Sequence, residues 1–337
     1  MSLLGRRLAR LAGTRSPSTA LRAASRELRL RRRDAGLGRL LDSSAPFAVG
    51  PFLGEVGYEL LYWVPFVRKL LREHGVDRER VTVLARGGAA VWYEDVAAHS
   101  IEILELVDPA AFPQRLGERR SRERHAKQAA VDAFDLELVR LARERGADGY
   151  VVHPLLMFLR FRFVWEGLLP PESALALGDY RMLAAPPPPA GLPAQSVAVK
   201  AYFSDSLPDC AETRQTLDAL VERLAERREV VLLANPTQLD EHEEWTRRGA
   251  RLHTLELEPR TNLAAQTAAV AAAEGLVCTY GGFAYVGASL GIPTVALYAE
   301  HAFNPVHLAV ARAAFATPLE LVHAAEAAAA VDAMLAT

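Results

Sequence analysis

Beyond residue 195 the chain alternates between short apolar runs that suit strands and longer stretches with helical spacing. Ser196–Phe203 is β-like, and Glu212–Arg227 carries Leu217, Leu220, Val221 and Leu224 at helical intervals. Glu229–Ala234 is a short apolar strand, and Gln238–Gly249 a polar helix closed by a glycine. Ala250–Leu257 reads as a strand, Asn262–Ala273 as an alanine-rich helix and Gly275–Thr279 as a buried strand. Gly282–Leu290 is a short helix stopped by Gly291 and Pro293, and Thr294–Tyr298 is a further strand. Leu319–Leu335 is expected to be a closing helix. Strands that take turns with helices form βαβ units, which need a parallel sheet covered on both faces.

The seam before this half is Ala184–Pro193, with four consecutive prolines at 186–189. Such a run cannot enter a helix or a central strand and makes a stiff spacer. The first half repeats the alternation. Phe47–Val49 is a strand followed by a glycine loop and the helix Tyr58–Glu73. Val81–Ala85 is a strand followed by Arg86-Gly87-Gly88, Gln114–Arg145 is charged and helical, and Tyr150–His153 is a short strand. The expected plan is a basic segment at 1–40, an α/β domain at 41–185, a linker at 186–195 and an α/β domain at 196–337.

Composition narrows the class. Half of the 337 residues are hydrophobic and 24% are charged, as in a globular protein. The net charge of −2 does not favour a nucleic-acid partner. Two cysteines, Cys210 and Cys278, are too few for a disulfide framework or a zinc cluster and suit a reducing compartment. Residues 1–33 hold ten Arg and one acidic residue, with no apolar run long enough for a signal peptide or a membrane span. That segment reads either as a solvated tail or, through Leu3–Leu11, as an amphipathic stretch for an anionic membrane surface. There is no clustered His/Cys set, so neither a metal nor a cofactor is expected.

The loop Thr279-Tyr280-Gly281-Gly282 leaves a buried strand and enters a helix. Glycines let backbone amides approach a ligand, and a helix N-terminus suits a diphosphate. The alternative is a tight turn with no ligand. Lys200 lies inside the first strand of this half, where an unpaired lysine is rarely buried; it is either a ligand group or an edge-facing residue. Asn235 ends the next strand as a pocket wall or a helix cap.

The stretch Ala271–Tyr298, with Gly281-Gly282, a small-residue helix and Leu290-Gly291-Ile292-Pro293-Thr294-Val295, resembles the donor-binding segment of GT-B glycosyltransferases, most closely their heptosyltransferase-type branch. The resemblance implies two Rossmann-like domains facing a central cleft. It implies that Thr279, Tyr280, Gly281, Gly282 and Phe283 line a sugar-nucleotide phosphate site. It also implies that Glu300 meets the ribose or sugar, and that Lys200, Ser204 and Asp205 serve the diphosphate. That branch usually has an acidic residue and a histidine around the glycines, where this chain has Tyr280 and Tyr285.

Gly50–Phe66 looks like the first loop of GT-B proteins, which supplies acceptor contacts. Transfer needs a base for the acceptor hydroxyl. Glu55, between Gly54 and Gly57, is the first candidate and Glu59 the second; Glu55 alternatively serves only the helix N-terminus. Gly54, Gly57, Tyr58, Arg86, Gly87, Trp92 and His153 are the remaining candidates for acceptor or phosphate contact, although Trp92 equally suits a core and His153 a structural role. The apolar run Leu155–Trp165 is either core or a surface for a lipid-linked acceptor.

The expected activity is metal-independent transfer of a sugar from a nucleotide donor to a glycan or lipid-linked acceptor, in the cytoplasm or at the inner face of its membrane. The alternatives are a sugar-nucleotide epimerase of the same fold and a non-catalytic nucleotide-sugar-binding protein.

Overall fold

The computed structural model describes residues 37–123, 128–235, 243–255 and 257–336. The basic segment 1–33 and the first five residues of the expected helix Gln238–Gly249 lie outside them.

The first sheet is wholly parallel. Its strands are β1 (Phe47–Val49), β2 (Val81–Ala85), β3 (His99–Glu102) and β4 (Tyr150–Val152), in the order β3-β2-β1-β4. β3 leaves no signature in the sequence, because His-Ser-Ile-Glu on an exposed edge carries no apolar run. The second sheet holds β5 (Ser196–Lys200), β7 (Glu229–Leu232), β9 (Leu252–Thr254), β10 (Gly275–Thr279), β11 (Thr294–Tyr298) and β12 (Leu319–His323). All its pairings are parallel, in the order β12-β11-β10-β5-β7-β9. Counted within the domain this is 3-2-1-4-5-6 read from the β9 edge, the Rossmann order. β5 and β10 are buried along their full length, as their near-continuous apolar sequences require.

Three expectations are corrected. Leu319–His323 is the sixth strand of this sheet, not the start of a helix; its Leu-Glu-Leu-Val run pairs with β11, and only the alanine-rich Ala327–Ala336 is α-helical. The described end of Gln238–Gly249 is not helical: Glu243–Glu244 (β8) pairs antiparallel with Tyr202–Phe203 (β6), and Trp245 is buried beside them. The strand expected over Ala250–Leu257 is confined to Leu252–Thr254.

Helix α1 follows β1 as Val56–Tyr58, a π-helical turn Glu59–Trp63, then Val64–Glu73. Pro65 explains the wide turn. It has no N–H for the carbonyl four residues back, and its ring crowds that carbonyl. Val64 N bonds Glu59 O instead, in the i→i+5 pattern. The charged stretch after β3 forms α2 (Phe112–Glu123) and α3 (Ala133–Glu144), and α4 (Leu155–Trp165) follows β4. In the second domain, α5 (Ala211–Ala225), α6 (Asn262–Ala272), α7 (Gly282–Leu290), α8 (Pro305–Ala314) and α9 (Ala327–Ala336) flank the sheet.

The proline run separates the two sheets in sequence, but they share one core. A single apolar cluster contains Trp63 and Phe161 of the first domain together with Leu276 and Tyr285 of the second. Among the described residues, no helix is long and apolar enough to cross a membrane.

Candidate functional site

In a sheet of this order the neighbours β5 and β10 lead their connections in opposite directions, and a crevice opens beyond their carboxyl ends. Lys200 ends β5 there, only 3% exposed. Its ammonium donates to Glu244 Oε1 at 2.6 Å and lies 5.3 Å from the centre of the Phe283 ring, in the first turn of α7. Asn235 Nδ2 donates to the same Glu244 oxygen at 2.9 Å. Gln266 Nε2, on α6, donates to Asn235 Oδ1 and Asn262 Oδ1. One buried polar network therefore joins the ends of β5 and β7 to α6. Asn235 belongs to that network and caps no described helix.

The glycine loop on β10 is tightly enclosed. Thr279 is buried and its hydroxyl stitches the strand to Tyr202, donating to Tyr202 O and accepting from Tyr202 N, so it is structural. A Cβ on Gly281 would overlap the Tyr202 hydroxyl. No side chain caps the N-terminus of α7. Tyr280 and Tyr285, on either side of Gly281-Gly282, are buried with their hydroxyls 3.0 Å apart. Burial lifts both phenols above their ordinary range. Ser204 forms a turn with Ser206, while Asp205 and Glu300 are exposed; Glu300 donates its backbone N–H to Ser206 O.

The first domain presses its own glycine loop against this one. The extended residue before α1 is Glu55, which is exposed. Gly57, two residues on, packs on Gly282: a Cβ on Gly57 would lie 3.1 Å from Gly282 Cα. Two helix N-termini, of α1 and α7, thus meet with Glu55 at their junction. Arg86 holds the preceding peptide, donating to Gly54 O at 2.6 Å.

Glu59 is wholly buried in the π-helical turn and accepts from Tyr93 Oη at 2.7 Å. Burial pushes its carboxyl up to about 7, against the lowering influence of Arg86 and the Tyr93 hydroxyl; Glu102 adds to the rise. A carboxyl so enclosed cannot touch an acceptor, so Glu59 is not placed as the base.

Several expected contacts are corrected. The Arg86-Gly87-Gly88 loop does hold an anion, but it is the protein's own. Gly87 and Gly88 both take positive φ, and their N–H groups donate to the two oxygens of Glu102 at 2.9 and 2.8 Å. Gly87 O also receives Leu263 N at the start of α6. Trp92 is not available to stack on a sugar, being 1% exposed with Nε1 donating to Thr267 Oγ1 across the domain boundary. His153 Nδ1 accepts from Leu155 N, which puts its hydrogen on Nε2, 3.3 Å from Asp135 Oδ2; its role is structural. Tyr58 is buried, and its hydroxyl meets His307 Nε2 at 2.8 Å while that of Tyr62 meets Nδ1 at 2.7 Å, so α8 is latched to α1. Met157, Phe161, Val164 and Trp165 of α4 join the core.

Sequence reasoning missed Glu244, Gln266 and His307. Glu244 falls in an acidic run that looks like a solvated face, and only the lysine inside β5 signalled that a buried carboxylate had to exist.

Two Rossmann-like domains, with a glycine-led helix of one set against the glutamate loop of the other, define a GT-B-type fold. Residues 213–317 match the model of glycosyltransferase family 9 (heptosyltransferase), and on that match the chain is a glycosyltransferase whose likeness lies with the heptosyltransferase type. Similar solved structures include E. coli ADP-heptose lps heptosyltransferase II, at 14% identity over 87% of this chain and 98% of that one with a TM-score of 0.43. E. coli heptosyltransferase WaaC with ADP matches at 14% over 87% and 99%, with a TM-score of 0.44. A putative UDP-N-acetylglucosamine 2-epimerase from Listeria monocytogenes matches at 11% over 88% and 89%, with a TM-score of 0.42. No curated protein matches the chain.

Proposed function

We propose that this glycosyltransferase takes its sugar from a nucleoside-diphosphate donor seated at the β5/β10 crevice and passes it to a hydroxyl of a glycan or lipid-linked acceptor. The observation that carries this reading is Lys200, a buried cation at the end of β5 beside the first turn of α7. As the sugar bond breaks, negative charge grows on the diphosphate. A fixed ammonium and the positive end of a helix favour that charge. With them in place no divalent ion is needed, and turnover is expected to be unchanged in EDTA.

Glu55 is the base. It is exposed, opens α1 where that helix meets α7, and its carbonyl accepts from Tyr58 N and Glu59 N. Tyr58 and Gly57 shape the same junction, and Phe283 backs Lys200. The enzyme works in the cytoplasm, and an Arg-rich 1–33 segment suits the inner face of the membrane; co-sedimentation with anionic vesicles tests that part.

Calorimetry with ADP, UDP and their sugar conjugates tests the donor site. The wild-type protein is expected to bind at least one, and Lys200→Met to bind it about tenfold or more weakly. Failure of the wild type to bind any nucleoside diphosphate overturns the reading. Glu55→Gln is expected to abolish transfer with donor affinity kept; unchanged turnover removes Glu55 as base.

A further inference from the structure

The loop that delivers Glu55 to the domain junction is Gly50–Gly54, and it lies in no strand or helix. An irregular buried segment must find partners for its backbone groups. Gly50 N donates to Val152 O at 2.9 Å, as a last rung of the β1–β4 pairing. Arg86 takes Gly54 O. Two of the groups between them are taken by one side chain from 75 residues beyond Leu53. Gln128 Oε1 accepts from Leu53 N at 2.9 Å, and Gln128 Nε2 donates to Pro51 O at 2.7 Å.

Gln128 is fully buried, and its backbone stands at a φ of +51°, in the left-handed region that non-glycine residues rarely adopt. Its amide orientation is fixed twice. The second Nε2 hydrogen goes to Asp135 Oδ1 at 3.2 Å. Asp135 is itself immobilised by Arg119 from α2 and by Asp132 N at the start of α3. Burial alone would raise the Asp135 carboxyl, but His153 and Arg119 hold it below the usual range, so it stays an acceptor at neutral pH. Every residue in this chain of contacts belongs to the first domain.

We propose that Gln128 is a positioning residue for the transfer, fixing Glu55 by clamping both sides of the loop that precedes it. This rests on the reading of Glu55 as base. Glutamine is suited to the task because a single planar amide offers the acceptor that Leu53 needs and the donor that Pro51 needs, on one carbon. A carboxylate at 128 would accept from Leu53 N but could not donate to Pro51 O, and it would face Asp135.

The test has two parts. In the wild-type protein, native-state hydrogen exchange is expected to show the Leu53 amide protected like those of β1, although it lies in a loop. Exchange at the rate of an open loop overturns the clamp. In the variants Gln128→Met and Gln128→Glu, release of nucleoside diphosphate in the presence of acceptor is expected to slow by about tenfold to a hundredfold. Donor affinity by calorimetry is expected to stay within about twofold, because the donor site is on the other domain; a merely destabilising role predicts a parallel loss of both. Should Gln128→Met not fold, the exchange measurement and Gln128→Glu still decide. Inactive Glu55→Gln beside Gln128 variants with wild-type turnover overturns the positioning role alone. Wild-type turnover by Glu55→Gln overturns the base assignment and the positioning role with it.

Discussion

Gly282, the first residue of α7, has no room for a side chain: a Cβ there would lie 2.7 Å from Gly57 N and 3.0 Å from Val56 Cβ, both in the first turn of α1. The two domains therefore touch backbone to backbone where each begins its glycine-led helix. This gives the substitution Gly282→Ala an unusual sign. Alanine within a helix ordinarily stabilises by up to about 1 kcal/mol relative to glycine, less in the first turn. Here the methyl must displace the backbone of α1, and overpacking of that kind costs about 1–3 kcal/mol. The net effect expected in urea denaturation is destabilisation. A variant more stable than wild type would show that the two helix starts are free to separate.

A second prediction concerns Lys200 and Glu244, whose charged atoms meet at 2.6 Å with side chains 3% and 14% exposed. Removing one member of a buried pair leaves the other charge in a poor environment, at a cost of about 3–5 kcal/mol. Removing both costs less than the sum of the singles. Lys200→Met and Glu244→Leu are thus each expected to be strongly destabilising, and the double variant to recover part of the loss. Additive single effects in a denaturation cycle would mean that the two residues act independently. Each single variant also bears on the proposed donor site, so stability is to be read without nucleotide.

How far the sequence discloses this molecule follows from the kind of signal each feature leaves. Val197–Val199 and Leu276–Cys278 announce buried parallel strands because both faces are covered and every side chain must be apolar. Leu319–His323 conceals its strand since six of the eight residues after it are alanine, and helical composition swamps a five-residue run. Lys200 is visible as an anomaly, whereas its partner Glu244 is not, because the antiparallel β6–β8 pairing that brings them together is long-range and leaves no local pattern. Gln128 is hidden for the same reason: one polar residue in a charged stretch becomes meaningful only when the fold places it under Gly50–Gly54. Glu55 and Glu59 look interchangeable one helical turn apart, and burial separates them. Pro65 does carry the signal for the π-helical turn that encloses Glu59, since a proline inside a helix obliges the carbonyls before it to find other donors.

That enclosure makes Glu59 a measurable contributor to pH-dependent stability. Its carboxyl is raised from 4.5 to about 7 in the folded state, chiefly by burial. A raised carboxyl favours the fold while it is protonated. The contribution is complete below pH 4.5, declines as pH rises toward 7, and is absent above it. The span corresponds to about 3 kcal/mol, at about 1.4 kcal/mol per unit. Glu59→Gln keeps the shape and an oxygen for Tyr93 Oη but cannot ionise. The difference in unfolding free energy between wild type and variant removes the titrations they share. It is expected to move in the variant's favour by about that amount between pH 4.5 and about 8. The Glu59→Gln variant should also keep its turnover, since the enclosed carboxyl reaches no acceptor. A difference curve flat over this interval would mean that Glu59 is charged inside the fold, with Arg86 outweighing its burial.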